Sequence, residues 1–389
     1  VVDQPLETYQ DEIYLAGLDG VTPDLPADLD ELERVAAGRL APQVHGYIAG
    51  SAGSGDTARE NRAAFRRWRI VPRLLTDVSS PSYSSTVLGA ELPVPLLLGP
   101  VGALGIAHPD GEIAVARAAA AAGLPMVLST VSSTPMEEVA EASGGGQRWY
   151  QLYWPRDRAV AASFLARAKA AGFTALVITL DTRMLGWRPR DLDQAYQPSL
   201  RGTGVQNYLA DPAFQASLPV PASADPRAAI RQYARIFGDP SLTWDDLPFA
   251  RDHWDGPIVL KGILSVADAQ RAADAGMDGI VVSNHGGRQV DGAVAALDAL
   301  PGIAAAVGGR VTVLFDSGIR GGADMLKALA LGARAVLIGR PQAFGLALGG
   351  EAGVRHVLRS LRNDFEITMR LSGYASLGEL GPHSIVRRP

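Results

Sequence analysis

PIVLKGILSVADAQRAADAGMDGIVVSNHGG, residues 257–287, reads as a strand, a helix and a second strand that ends on polar and glycine residues. The apolar run at 257–262 is short and continuous, as in a strand covered on both faces. An Ala-rich helical pattern follows at 265–275, then a second continuous run at 279–284. Strand, helix, strand in this rhythm is the repeating piece of a parallel sheet.

The phrase recurs in both directions. Upstream strands are read at 94–99 (VPLLLG), 125–130 (PMVLST), 148–154 (RWYQLYW) and 175–181 (ALVITLD), downstream ones at 312–317 (TVLFDS) and 335–340 (AVLIGR). Helical patterns lie between them, for instance at 111–122, 134–143, 158–171, 321–331 and 352–372. Eight such strands predict an α/β fold, a (β/α)8 TIM barrel. The rival, an open doubly wound sheet, lacks support: no G-x-G-x-x-G follows a strand and no Walker A sequence occurs.

Two segments stand outside the repeat. Residues 1–93 read as short helices near 28–40, 42–50 and 57–66, followed by an extended stretch, 68–92, suited to closing the barrel's bottom. Residues 94–389 form the barrel, interrupted between strands 4 and 5 by 75 residues, 182–256. Such loops usually hold about 2–6 residues. This one is rich in Pro, Asp and Arg, so a lid or an oligomer contact is expected rather than a second core.

Totals narrow the function. A length of 389 residues suits one large barrel with additions. A net charge of −5 offers no electrostatic reason for nucleic acid or an anionic membrane as partner. With no cysteine, disulfides, thiolate metal sites and cysteine nucleophiles are excluded. The first 25 residues are polar and acidic, unlike a signal peptide, and no apolar run approaches the roughly 20 residues of a membrane span. A cytoplasmic enzyme is expected.

Barrel chemistry sits at the C-terminal strand ends. There Gln151 pairs with Tyr153, Thr179 with Asp181 and Ser283 with His285, while Lys261 follows Val259. Side chains two apart share a face. So many inward polar groups need partners, and a bound polar ligand supplies them together. Lys261 is one of only three lysines, against 33 arginines. Strands 7 and 8 end in FDSGIRGG (315–322) and IGRP (338–341), glycine-rich turns before helices, with Arg320 and Arg340 adding charge. These are the usual phosphate-binding positions of this fold. Of six histidines, five (His45, His108, His253, His356, His383) fall in helices or loops and read as surface or packing residues. His285 follows a strand, has Arg288 three residues on, and is suited to proton abstraction beside Asp181. HExxH and GxSxG are absent, so neither a metal centre nor a serine hydrolase is expected.

SNHGGRQ (283–289), LKG (260–262), YQLYW (150–154), LDT (180–182), DSGIR (316–320) and IGRP (338–341) together resemble the FMN-dependent 2-hydroxy acid oxidase and dehydrogenase family. The likeness runs in order from about residue 40 to the C-terminus. GWRPRDLD (186–193), RGTGVQNYLADPAFQ (201–215), TWDDL (243–247) and YQDEIYLAGLDGV (9–21) most resemble its lactate 2-monooxygenase branch. The resemblance implies FMN as cofactor, a small L-2-hydroxy acid and O2 as reactants, and a homo-oligomer, a tetramer or a multiple of four. It also implies roles. Pro100, Val101 and Gly102 would lie against the flavin ring, with Ser129, Gln151 and Thr179 at its edge, Lys261 near N1, and Ser283 close by. Asp316, Gly318, Arg320, Gly339 and Arg340 would hold the phosphate. Tyr47, Tyr153, Arg188 and Arg288 would hold substrate, while His285 takes its proton and Asp181 stabilises the imidazolium. By resemblance, Val131 stands where glycolate oxidase has a tryptophan, which speaks against a glycolate-type pocket, and Gly204 stands in a stretch that bears a cysteine in a lactate monooxygenase, so that thiol is not required here. Ala103, beside the substrate's α-carbon by resemblance, leaves room for a methyl group or more. The implied reaction is L-lactate and O2 giving acetate, CO2 and water. The alternatives are a 2-hydroxy acid oxidase releasing 2-keto acid and peroxide, and a non-catalytic FMN-binding protein.

Overall fold

The computed structural model describes residues 8–388; the first seven residues of the N-terminal segment and Pro389 lie outside it. Eight parallel strands close into a barrel in simple cyclic order: β1 (Leu96–Leu98), β2 (Met126–Ser129), β3 (Arg148–Leu152), β4 (Leu176–Thr179), β5 (Ile258–Ile263), β6 (Gly279–Val282), β7 (Thr312–Phe315) and β8 (Ala335–Ile338). All eight expected strands are present, each ending earlier than the sequence reading or within a residue of it. The polar residues that tail each run lie past the last paired position, where the chain turns outward into a loop.

The barrel interior is packed, not hollow. Every strand gives at least one apolar side chain, such as Trp149 of β3, Val177 of β4 and Val281 of β6, to a layer across it. A β-hairpin, Ser85–Val87 with Ala90–Leu92, caps that layer by adding Val87, Ala90 and Leu92. Each large side chain buried this way contributes roughly 1.5–3 kcal/mol. Trp68–Ile70 pairs antiparallel with Ile385–Arg387, tying the segment that precedes the barrel to the C-terminal end of the described chain.

After β8 two helical runs span Arg340–Leu371, divided at Gly349 (φ −154°) and Gly350 (φ +56°), which leave helical geometry. The second run matches the helix expected at 352–372; the first, starting at Arg340, is an addition to the expected helices. A helix at Ala296–Val307 also completes the ring despite an internal Pro301.

The segment between β4 and β5 is short helices, among them Gln206–Leu209, Pro212–Ala216 and Pro226–Ile236. It does not float over the barrel. Asn207 is fully buried; its side-chain amide donates to the carbonyls of Ser129 (3.3 Å) and Thr130 (3.0 Å) and accepts from the Met136 amide at 2.9 Å. Asp211, also fully buried, caps the next helix and binds Arg167 at 3.1 Å. Aromatic rings run from Phe164 on a barrel helix through Tyr208, Tyr233 and Phe237 to Tyr153 at the end of β3. The insertion therefore shares the main core. Among the described residues no helix is long and apolar enough to cross a membrane.

Candidate functional site

At the C-terminal end of the barrel lies a cavity of roughly 1290 Å³ including its open mouth. Of the sequence-predicted residues, Tyr47, Pro100, Val101, Gly102, Tyr153, Arg188, Lys261, His285, Arg288, Asp316, Gly318, Arg320, Gly339 and Arg340 line it. Ser129, Gln151, Thr179 and Ser283 are not among its lining residues; they are buried at the strand ends, and Thr179 lines a neighbouring cavity. Asp181 stands behind His285, outside the lining.

The loop after β6 holds His285 in a left-handed conformation, φ +59°. Its amide donates to Ser283 Oγ at 3.0 Å, and Gly286 N donates to Ser317 Oγ at 3.0 Å. Asn284 and Asn61 exchange two amide hydrogen bonds of 2.7 Å, locking the loop to the N-terminal helix Asp56–Arg66. Ala103 (φ +55°) and Ser317 (φ +80°) also line the cavity in left-handed geometry. Strain at three non-glycine positions on one wall is typical of a functional site. Gly286 continues the left-handed backbone at φ +64°, the geometry that favours glycine, and a Cβ there would also lie 2.7 Å from Arg340 Nη1.

His285 Nδ1 lies 2.8 Å from Asp181 Oδ1, and its Nε2 faces Tyr153 Oη at 3.4 Å on the cavity side. Burial drives the His285 pKa down; Asp181 opposes this, while the charges of Lys261 and Arg188 reinforce it, and the net is below the usual imidazole value. Burial pushes the Asp181 carboxyl up, but His285, Lys261 and the Thr182 hydroxyl bring it below its usual range. The resting pair is thus neutral imidazole beside carboxylate, a base ready to accept a proton. Burial and the neighbouring Asp181 raise Tyr153 to about 12, so it remains a hydrogen-bond donor. Gly262 (φ +106°) makes Asp181's position possible, since a Cβ there would sit 2.8 Å from Asp181 Cβ.

Positive charge surrounds this base. Lys261 Nζ bonds Ser283 Oγ at 2.9 Å and Asp316 at 3.1 Å. Arg188 donates to the Arg288 carbonyl (3.1 Å) and to Gln289 Oε1 (2.8 Å). Arg288 stacks over Tyr47 and donates to the Gly50 carbonyl at 2.7 Å; burial and Arg188 push it down to about 10. At the other end Arg320 reaches Glu33 at 3.2 Å. Arg340 has only carbonyl partners, Ile48, Gly50 and Gly286 at 2.8–3.3 Å. Burial with Arg288 and Arg320 nearby pushes it down to about 9, still protonated at neutral pH. Among the described residues Arg188, Arg288 and Arg340 all lack a carboxylate partner, and Arg188 is buried, an arrangement that is costly unless anions complete it. Arg188 and Arg288 face the His285 end, Arg340 the turns after β7 and β8.

Sequence reasoning missed the supporting residues. Thr182 bonds Asp181 at 3.0 Å and lies 3.3 Å from His285 Nδ1. Gln289 fixes Arg188 from the insertion side and donates to the Asp181 carbonyl at 2.9 Å. Asn61 is 223 residues away from Asn284 in sequence. Thr182 and Gln289 lie inside quoted motifs and were within reach; nothing local marks Asn61.

A closed barrel with a histidine–carboxylate base and separate arginine seats for two anions defines an enzyme that works on an anionic substrate beside a phosphorylated cofactor. Comparison with known proteins names it more closely. The model of the FMN-dependent dehydrogenase family matches residues 36–387, and the chain belongs to that family. It is 46% identical to an FMN-dependent alpha-hydroxy acid dehydrogenase of Schizosaccharomyces pombe, covering 95% of this chain and 93% of that one. It is 43% identical to an L-lactate oxidase of Lysinibacillus sphaericus, covering 93% of each. Among solved structures, mandelate oxidase with (S)-4-hydroxymandelic acid superposes with a TM-score of 0.82 at 41% identity, covering 91% of this chain and 97% of that one.

The chain is an FMN-dependent 2-hydroxy acid oxidoreductase, and its residues fit the cofactor. Among the described residues Gln151 Nε2 and Thr179 Oγ1 are buried without hydrogen-bond partners, which a bound flavin's edge would supply. Arg340 and Arg320 sit where the phosphate of FMN would compensate them. Replacing Arg340 by Met is expected to weaken FMN binding about 10- to 100-fold, the scale of one charge-assisted contact. Recovery of free-flavin fluorescence on dilution measures this. FMN at about a thousand times its Kd adds roughly 4 kcal/mol of stability to the wild type, so Tm should rise less in R340M at equal FMN.

Proposed function

We propose that this enzyme oxidises L-lactate, or a similarly small L-2-hydroxy acid, with O2, and that it acts as a lactate 2-monooxygenase. One observation carries the oxidation chemistry: His285, backed by Asp181, opens its second nitrogen to a cavity beside Arg188 and Arg288. In this reading the arginines seat the substrate carboxylate, and Tyr47 and Tyr153 hydrogen-bond its carboxylate or hydroxyl. His285 Nε2 takes the substrate proton, and the Asp181 carboxylate stabilises the imidazolium. Bound FMN supplies the two-electron acceptor. Lys261, on β5 and lining the cavity, would supply positive charge that favours reduction of the cofactor.

Retention of the product separates monooxygenase from oxidase. Pyruvate and hydrogen peroxide that meet before leaving give acetate, CO2 and water, which balances with lactate and O2. The 182–256 segment supports retention, because its Leu185, Gln197, Thr203, Tyr233 and Phe237 wall the cavity while Asn207 and Asp211 anchor it. A second reading, an oxidase that releases pyruvate and peroxide, is favoured by the oxidase names of the Lysinibacillus relative and the solved structures. Aerobic turnover of L-lactate tests the two. Acetate with little free peroxide supports the monooxygenase; pyruvate with equal peroxide supports the oxidase. A non-catalytic FMN carrier has no use for the substrate arginines. We further propose a cytoplasmic homotetramer, or a multiple of four, with no nucleic-acid or membrane partner.

The pH dependence follows from His285. Its protonated form cannot act as base, so kcat/KM should fall as pH drops. Because its pKa lies below the usual imidazole value, the fall should come at lower pH than for free imidazole. A stopped-flow pH series on flavin reduction checks this; an inflection above the ordinary histidine value would contradict it.

A further inference from the structure

Glu112 has no part in the site described above, yet its side chain is fully buried. It stands in the first turn of the helix Gly111–Ala121, below the cavity wall. Its Oε1 accepts from two backbone amides, Leu104 N at 3.1 Å and Ser133 N at 2.9 Å. Those amides belong to different loops, after β1 and after β2. Two more contacts join the same loops: Ala103 N donates to the Val131 carbonyl at 2.8 Å, and Gly105 N to Ser133 Oγ at 2.9 Å. Pro100, Val101, Gly102, Ala103 and Val131 of these loops line the cavity. The second carboxyl oxygen, Oε2, is buried without a partner.

We propose that Glu112 is a positioning residue: one buried oxygen braces the two loops into a single wall and so sets how FMN and the substrate's α-carbon lie against Ala103. A carboxyl group in a fully apolar setting is an expensive brace when a wall alone is wanted. Its geometry explains the choice. A single acceptor at that depth satisfies two amides that would otherwise be orphaned, and holds Ala103 in its left-handed conformation. Burial raises the Glu112 pKa against the lowering effect of the Ser133 and Leu104 amides, consistent with a group that need not be charged to serve.

The proposal rests on FMN lying against this wall, not on the identity of the substrate. The test compares E112Q, which keeps the accepting oxygen, with E112A, which removes it, both loaded with FMN. E112A is expected to bind FMN about 10-fold or more weakly, the scale of two amides left without an acceptor. Its bound flavin should show a shifted absorption maximum, and substrate kcat should fall with KM changing less. E112Q should stay within about twofold of wild type on each measure, one hydrogen bond's worth at most. If E112A does not fold, E112D, which withdraws the oxygen by one methylene, is read in the same way. Loss of thermal stability in E112A with unchanged flavin spectrum, affinity and kcat would overturn the brace, leaving Glu112 a folding residue. Equal damage in E112Q would also overturn it, since the accepting oxygen would then not be what matters. A wild type that fails to bind FMN would instead reject the cofactor reading, which keeps the two failures apart.

Discussion

His285→Ala should give a yellow protein whose flavin is reduced by L-lactate about 10²–10⁴-fold more slowly than wild type, the usual scale of a lost general base. The yellow colour should persist because the residues proposed to seat the phosphate, chiefly Arg320 and Arg340, are left intact. The backbone sets one condition. Residue 285 sits at φ +59°, where asparagine is better tolerated than most side chains, so His285→Asn serves as the control that keeps the loop conformation. Both variants should be slow and both should bind FMN. Asp181 loses its main partner in either case but keeps Thr182 at 3.0 Å, so its carboxylate stays oriented. Rapid reduction in H285N would assign the base elsewhere.

Arg288→Leu should lower kcat/KM by about 10²–10³-fold, since a buried substrate carboxylate would lose one of two cationic partners. The same change should leave the substrate-free protein as stable as wild type, or more so. Burial and the adjacent Arg188 push Arg288 down to about 10, meaning its charge is unfavourable until an anion arrives. Removing it relieves that repulsion. Tm without substrate and kcat/KM are therefore expected to move in opposite directions. A matched fall in both would make Arg288 a structural residue.

Much of this was legible in the chain because barrel strands are buried on both faces and so appear as continuous apolar runs. All eight could be found, and the polar residues at their ends pointed to one rim. Asp181 and His285, 104 residues apart, were paired correctly because both follow inward strand positions. Strand ends were overextended, since an apolar or aromatic residue such as Tyr153 looks the same whether it is paired or already in a loop. The helical run that starts at Arg340 is hard to see in the chain, because IGRP (338–341) reads as a strand end and the break at Gly349 and Gly350 leaves only a short stretch between. The support shell was less visible. Asn61 and Glu112 act through backbone amides and another amide side chain, contacts that leave no periodic trace. The insertion was read as a cover, but its polar composition concealed Tyr208, Phe214 and Tyr233, through which it joins the main core.

The most direct test is anaerobic mixing of the FMN-loaded protein with L-lactate, following the loss of oxidised-flavin absorbance and assaying the 2-keto acid formed. The account predicts rapid bleaching by L-lactate or another small L-2-hydroxy acid, one 2-keto acid per flavin, and near silence from H285N. If every small 2-hydroxy acid leaves the bound flavin oxidised, the base, the arginine seats and the cofactor do not form the oxidising site described here.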